Sequence, residues 1–204
     1  MNRYFRFIRK TTSSILMSLS EVLSHHYLHK TAITLVATLV GTTAVLGTAE
    51  AIDFNWNAGT GDWENGSNWS NGFGSMVPDE DAFAFVDNSG TAQVQTTDSV
   101  AGYVYIGNVN SGALDIFGGG QLESFYGNEI GRNAGSSGAV TVDGIGSSWQ
   151  LTGPSASLDV GASGEGSLTI TNGGEVLNAD SFLSTSIGDN AGSSGTVTVD
   201  GTGS

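Results

Sequence analysis

The stretch IGRNAGSSGAVTVDGIGS at 130–147 returns as IGDNAGSSGTVTVDGTGS at 187–204, identical at 15 of 18 positions after an interval of 57 residues. Loop and apolar positions are copied together, so one supersecondary unit is repeated along the chain. Shorter relatives open at Ile106-Gly107 (IGNVNSGALDIFGGGQL) and Val160-Gly161 (VGASGEGSLTITNGGEV). Starts at 106, 130, 160 and 187 lie 24, 30 and 27 residues apart, about one coil of a β-solenoid.

Within each unit the aliphatics alternate with Thr or Asp. Val140 and Val142 flank Thr141, Leu168 and Ile170 flank Thr169, Val197 and Val199 flank Thr198, and Leu158 and Val160 flank Asp159. That is the period of a strand with one buried face. Each run ends within a few residues at a turn pair such as Asp143-Gly144 or Asn172-Gly173, which admits positive φ. Strands this short form no core alone. Stacked at about 4.8 Å per coil, their aliphatics make internal columns and their backbones pair above and below. The expected fold is all-β, a parallel β-helix with Val140, Val142, Leu158, Val160, Leu168, Ile170, Val197 and Val199 as the repeat core. A β-sandwich or barrel is the alternative, since short strands with Gly turns fit it too.

Charge divides the chain of 204 residues in two. Five of the six Lys and Arg and all three His precede Ala51, and beyond it Arg132 faces eighteen acids, a net −17. Such a surface repels phosphate backbones and anionic lipid, which argues against nucleic acid as a partner. No Cys occurs, so disulfides and thiolate chemistry are excluded. Residues 31–48 form an uncharged run after a basic segment and lead to Ala49-Glu50-Ala51, the order of a secretory signal with A-x-A cleavage after Ala51. The run is short and Thr-rich for a permanent span of a hydrocarbon core about 30 Å thick. The expected organisation is a cleavable helical signal segment at 1–51, an N-terminal cap at 52–100 and β-helix repeats at 101–204.

Residues 52–100 carry Trp56, Trp63 and Trp69 among Asn, Gly and Asp. They fit either a plug for the open end of the solenoid or a stacking platform for sugars. Asp79-Glu80-Asp81 lacks the spaced oxygen ligands of a Ca²⁺ loop and is read as a solvated turn. With no His, Lys or Cys after residue 51, Ser-His triads and Schiff bases are excluded, and only an acid pair of the glycosidase type is left for catalysis. Asp143 and Asp200 occupy equivalent repeat positions, which points to turn duty. No catalytic, cofactor or metal residue is assigned, and the chain is not read as an enzyme.

Two features resemble known families. MNRYFRFIRKTTSSILMSLSEV at the N-terminus, with Met1-Asn2-Arg3, Tyr4 or Phe5 and Ser20-Glu21-Val22, resembles the extended signal peptide of type V secretion proteins. The repeat resembles the one shared by autotransporter passengers and proteins with PEP-CTERM sorting tails. Its signature is carried here by Gly138, Val140-Thr141-Val142, Gly144 to Trp149, Leu158 to Gly161, Gly164-Glu165-Gly166, Leu168-Thr169-Ile170 and Gly173 to Val176. The resemblance implies an exported passenger, structural or adhesin-like, delivered by the Sec machinery to the cell surface or beyond, or to the periplasm where no translocator is available. The outer-membrane translocator itself is not expected in this sequence, which reads as a fragment ending within a repeat. Glycans or host surfaces are the ligands the resemblance implies. Alternatives are a polysaccharide-acting β-helix enzyme, a biofilm matrix protein with a sorting tail, and a two-partner secreted exoprotein. The last usually carries Asn-Pro-Asn motifs, and neither Pro78 nor Pro154 follows an Asn.

Overall fold

The computed structural model describes residues 51–153, 155–178 and 184–204, and the backbone of two short strands further upstream. Residues 1–50 and 51–204 are separate compact units. In the first, β1 (Ala37–Thr38) and β2 (Thr43–Ala44) pair antiparallel. The rest of the expected helical leader, including Ala49, lies outside the described residues, and Ala51 opens the second unit as an exposed residue.

The second unit is built from β3 (Asp53–Trp56), β4 (Thr60–Asp62), β5 (Trp69–Ser70), β6 (Phe83–Val86), β7 (Thr91–Val94), β8 (Ser99–Ala101), β9 (Tyr103–Ile106) and β10 (Ser111–Phe117). It continues with β11 (Gln121–Ser124), β12 (Gly127–Ile130), β13 (Ser137–Asp143), β14 (Ser148–Leu151), β15 (Ser157–Val160), β16 (Glu165–Thr171), β17 (Glu175–Asn178), β18 (Thr185–Ile187) and β19 (Ser194–Asp200). Every third strand stacks on the same wall. The first wall runs β5-β3-β6-β9-β12-β15-β18, the second β4-β7-β10-β13-β16-β19 and the third β8-β11-β14-β17. All pairings in these walls are parallel except β3 with β5. Parallel neighbours joined through two other walls define a β-solenoid and exclude the sandwich. Coils also stack through residues 52–100, where β6, β7 and β8 make one complete turn.

Register explains the alternating sequence. On the second wall Ala92, Leu114, Val140, Leu168 and Val197 align in one inward row, and Val94, Ile116, Val142, Ile170 and Val199 in the next. On the first wall Ile106, Ile130, Val160 and Ile187 align, beside a row of Val104, Asn128 and Leu158. Val140, Val142, Leu158, Val160, Leu168 and Ile170 are all buried, each burial being worth about 1.5–3 kcal/mol. Val197 and Val199 face the same rows yet are 37% and 58% exposed, because β19 is the last strand of its wall.

The fixed loop residues of the repeat tie coil to coil. Asn133 Nδ2 donates to the Asn108 carbonyl at 2.6 Å, and the equivalent Asn190 Nδ2 donates to the Ala162 carbonyl at 2.8 Å. Ser136 and Ser193 close these loops by donating to the Asn133 and Asn190 carbonyls. The Gly that opens each unit has positive φ, and at Gly107, Gly131 and Gly161 the next coil also leaves no room for a side chain. At Gly131 φ is +69°, and a Cβ there would lie 2.2 Å from the Glu165 carbonyl of the next coil.

Candidate functional site

The three Trp of residues 52–100 are not a surface platform. Trp56, Trp63 and Trp69 are all buried, and Trp69 meets Trp56, Trp63 and Phe54 edge-to-face at 4.9, 4.8 and 6.4 Å. Trp69 Nε1 donates to the Trp63 carbonyl at 2.8 Å. They close the first coils from within, and the antiparallel β5 ends the first wall beside them.

Aromatic surface lies instead on the outer side of the first wall. Parallel register places Tyr103 over Phe83 and Tyr105 over Phe85. Phe83 and Tyr103 stack at 4.3 Å, Phe85 and Tyr105 at 5.1 Å, and Tyr126 continues the first column at 4.8 Å from Tyr103. Each such pair is worth about 0.5–1.5 kcal/mol beyond the area it buries. The second column ends on a cation, with the Arg132 guanidinium 4.2 Å from the Tyr105 ring centre. Arg132 Nε lies 3.5 Å from Glu129 Oε1, and Nη1 donates to Asn108 Oδ1 at 3.3 Å. Glu129 and Asp159 are register neighbours continuing the row above Tyr105, and Ser186 Oγ donates to Asp159.

Electrostatics follow this packing. Burial pushes the Tyr105 hydroxyl up to about 12, against the pull of Arg132 and with help from Glu129 and Tyr103. Burial also raises Glu129; Arg132 opposes the shift, while Asp159 and Asp189 add to it. Tyr126 is raised by burial first and then by Asp81, Tyr103 and Glu80. The row therefore holds two neighbouring carboxylates, Glu129 and Asp159, with Asp189 close by and Arg132 as the one cation.

The other acids singled out by sequence serve turns. Asp143 Oδ1 accepts from Thr171 Oγ1 and Asn172 Nδ2, both at 2.7 Å, and these bonds hold its carboxyl below the usual range. Asn172 itself sits at φ +55°, so this carboxylate steadies a left-handed turn residue. Asp200 Oδ1 accepts from the Gly201 amide at 2.8 Å. Asp79 Oδ1 accepts from the Asp81 amide at 3.2 Å, an Asx turn with all three acids exposed. No group of three His, Cys, Asp or Glu that could hold a metal occurs among the described residues.

The aromatic columns escaped the sequence reading although their signal is simple. Phe83-Ala84-Phe85 and Tyr103-Val104-Tyr105 carry the same alternation 20 residues apart. Phe83 and Phe85 lie in the segment expected as a cap and Tyr103 and Tyr105 in the expected repeats, so the aligned pair spans that border.

Residues 51–204 form a three-walled parallel β-solenoid whose walls are built from tandem coils. No protein family, no curated protein and no solved structure matches the chain.

One outward acid offers a pH test. Asp115, beside Thr141 on the second wall, has its pKa raised by burial, partly offset by a hydrogen bond from Thr141. A raised carboxyl pKa means the folded state prefers the proton. The penalty appears as pH climbs from the unfolded value near 4 through the folded pKa, and it is complete above that. Asp115→Asn removes it, so thermal melts should show the variant more stable than the parent at pH 7. The gap should close near pH 3; a gap of equal size at both values would refute this account.

Proposed function

We propose that the chain is an exported passenger of the type V secretion class, a structural or adhesin-like β-solenoid that presents its outer walls at the cell surface or beyond. The observation that carries this reading is how the repeats use their polar groups. Asn133, Asn190 and Asp143 bond to the neighbouring coil, and Asp200 bonds within its own turn, so the repeated acids and amides build a wall rather than an acid–base pair. The basic leader with its A-x-A site and the autotransporter-like repeat support the same reading. Sec export through the leader, a separate outer-membrane translocator and a ligand on another surface are the partners it calls for.

The test is expression of the full chain in a Gram-negative cell, followed by fractionation and N-terminal sequencing. Product beyond the inner membrane with Ile52 as its first residue is expected. Intact leader on protein held in the cytoplasm would reject export. Incubating the purified chain with bacterial and plant polysaccharides should release no new reducing ends, and release would favour the polysaccharide-acting alternative.

A further inference from the structure

The two aromatic columns of the first wall end differently. Toward β12 the Phe85–Tyr105 column is closed by Arg132, whose charge is met by Glu129. Toward β3 both columns stop at a ledge. The register neighbours of Phe83 and Phe85 are Asp53 and Asn55, and beyond Asn55 lies Ser70; all three are exposed and smaller than the rings. The carboxylate of Asp53 thus stands beside the last rings as Glu129 stands beside Tyr105. Glu80 and Asp81 lie at the same corner, where their backbone packs under Gly102, the residue preceding Tyr103. Arg132 is the one Lys or Arg after residue 51 and is already engaged at the other end.

We propose that this ledge, formed by Phe83 and Phe85 above Asp53 and Asn55, docks an arginine side chain of a basic peptide segment. The guanidinium lies flat against the last rings and pairs with the Asp53 carboxylate, repeating from outside the arrangement that Arg132 makes from within. A planar guanidinium suits the site better than an ammonium, because it stacks on a ring while its edge donates to a carboxylate. The net −17 after residue 51 steers a basic segment toward this wall and repels an acidic one. This deepens the adhesin-like reading and rests on it for its biological setting. The assay below uses purified chain, so export and docking can fail separately.

The probe is a short Gly-Arg-Gly-Arg-Gly peptide titrated calorimetrically into the full chain at low ionic strength, with the Lys counterpart alongside. Expected are saturable binding, tighter for Arg than for Lys, and a loss of about five- to tenfold for Asp53→Asn and for Phe83→Leu. Glu175→Gln, which removes an equal charge from an exposed position on the third wall, should leave affinity unchanged. Equal weakening by Asp53→Asn and Glu175→Gln would reduce the effect to general charge attraction and overturn the proposal. So would the absence of binding, or equal affinity for the Lys peptide. Thermal melts of Phe83→Leu separate lost docking from lost fold, and Asp53→Asn, an exposed change, decides the matter alone.

Discussion

Val142→Asp is expected to abolish cooperative folding of the solenoid and Val199→Asp to leave it folded. The two residues hold the same position in near-identical repeats and belong to one inward row, linked through Ile170. Val142 is fully buried between Ile116 and Ile170, so an aspartate there loses its water without gaining a partner. The penalty is about 5 kcal/mol or more, comparable with the whole stability of many domains, which is about 5–15 kcal/mol. Val199 is 58% exposed, and a carboxylate at that site reaches solvent. Its cost should stay under about 1 kcal/mol, in the range of exposed substitutions. Circular dichroism melts of the two variants check the contrast. A Val142→Asp protein that melts like the parent would remove Val142 from the interior, and equal damage from both would show that strand propensity, not burial, sets the effect.

The contrast also shows what the sequence could and could not reveal. Alternation in Val140-Thr141-Val142 and its relatives identifies the inward face, because side-chain direction has a period of two whatever the neighbours are. Repetition of loops together with strands favours stacking, because copied units bury their apolar faces against one another. Burial at a given repeat position is different. It depends on whether a further coil lies above, so Val142 and Val199 share a sequence context and differ in exposure. Loop identity was visible as a pattern, but its cause, the Asn133 and Asn190 amides reaching the preceding coil, needs the third dimension. The aromatic columns fell between these cases. Their residues alternate correctly, but the match runs from Phe83 to Tyr103, across the border between a segment read as cap and a segment read as repeat. Cross-strand stacking is written in pairs of coils, and it is legible only once the coils are set in register.

The N-terminal Trp cluster had two readings, and Trp69→Ala measures the difference between them. Trp69 is buried, stacks edge-to-face with three other rings and donates its indole N–H to the Trp63 carbonyl. Truncation removes those contacts together and leaves a cavity that rigid strands cannot fill, at a cost of about 3–5 kcal/mol. It also strands the Trp63 carbonyl acceptor, whereas Trp69→Phe keeps most of the packing and loses the hydrogen bond, for about 1–2 kcal/mol. In a stack governed by neighbour interactions, damage at one end propagates as fraying, so the first coils should lose amide-exchange protection before those around Val140 and Leu168 do. A sugar platform would behave otherwise. Trimming one exposed ring would cost no more than about 0.5 kcal/mol and would leave amide protection unchanged in every coil. Denaturation with hydrogen exchange resolved along the chain therefore decides whether the indoles hold the first coils together, and the edge-to-face geometry requires that they do.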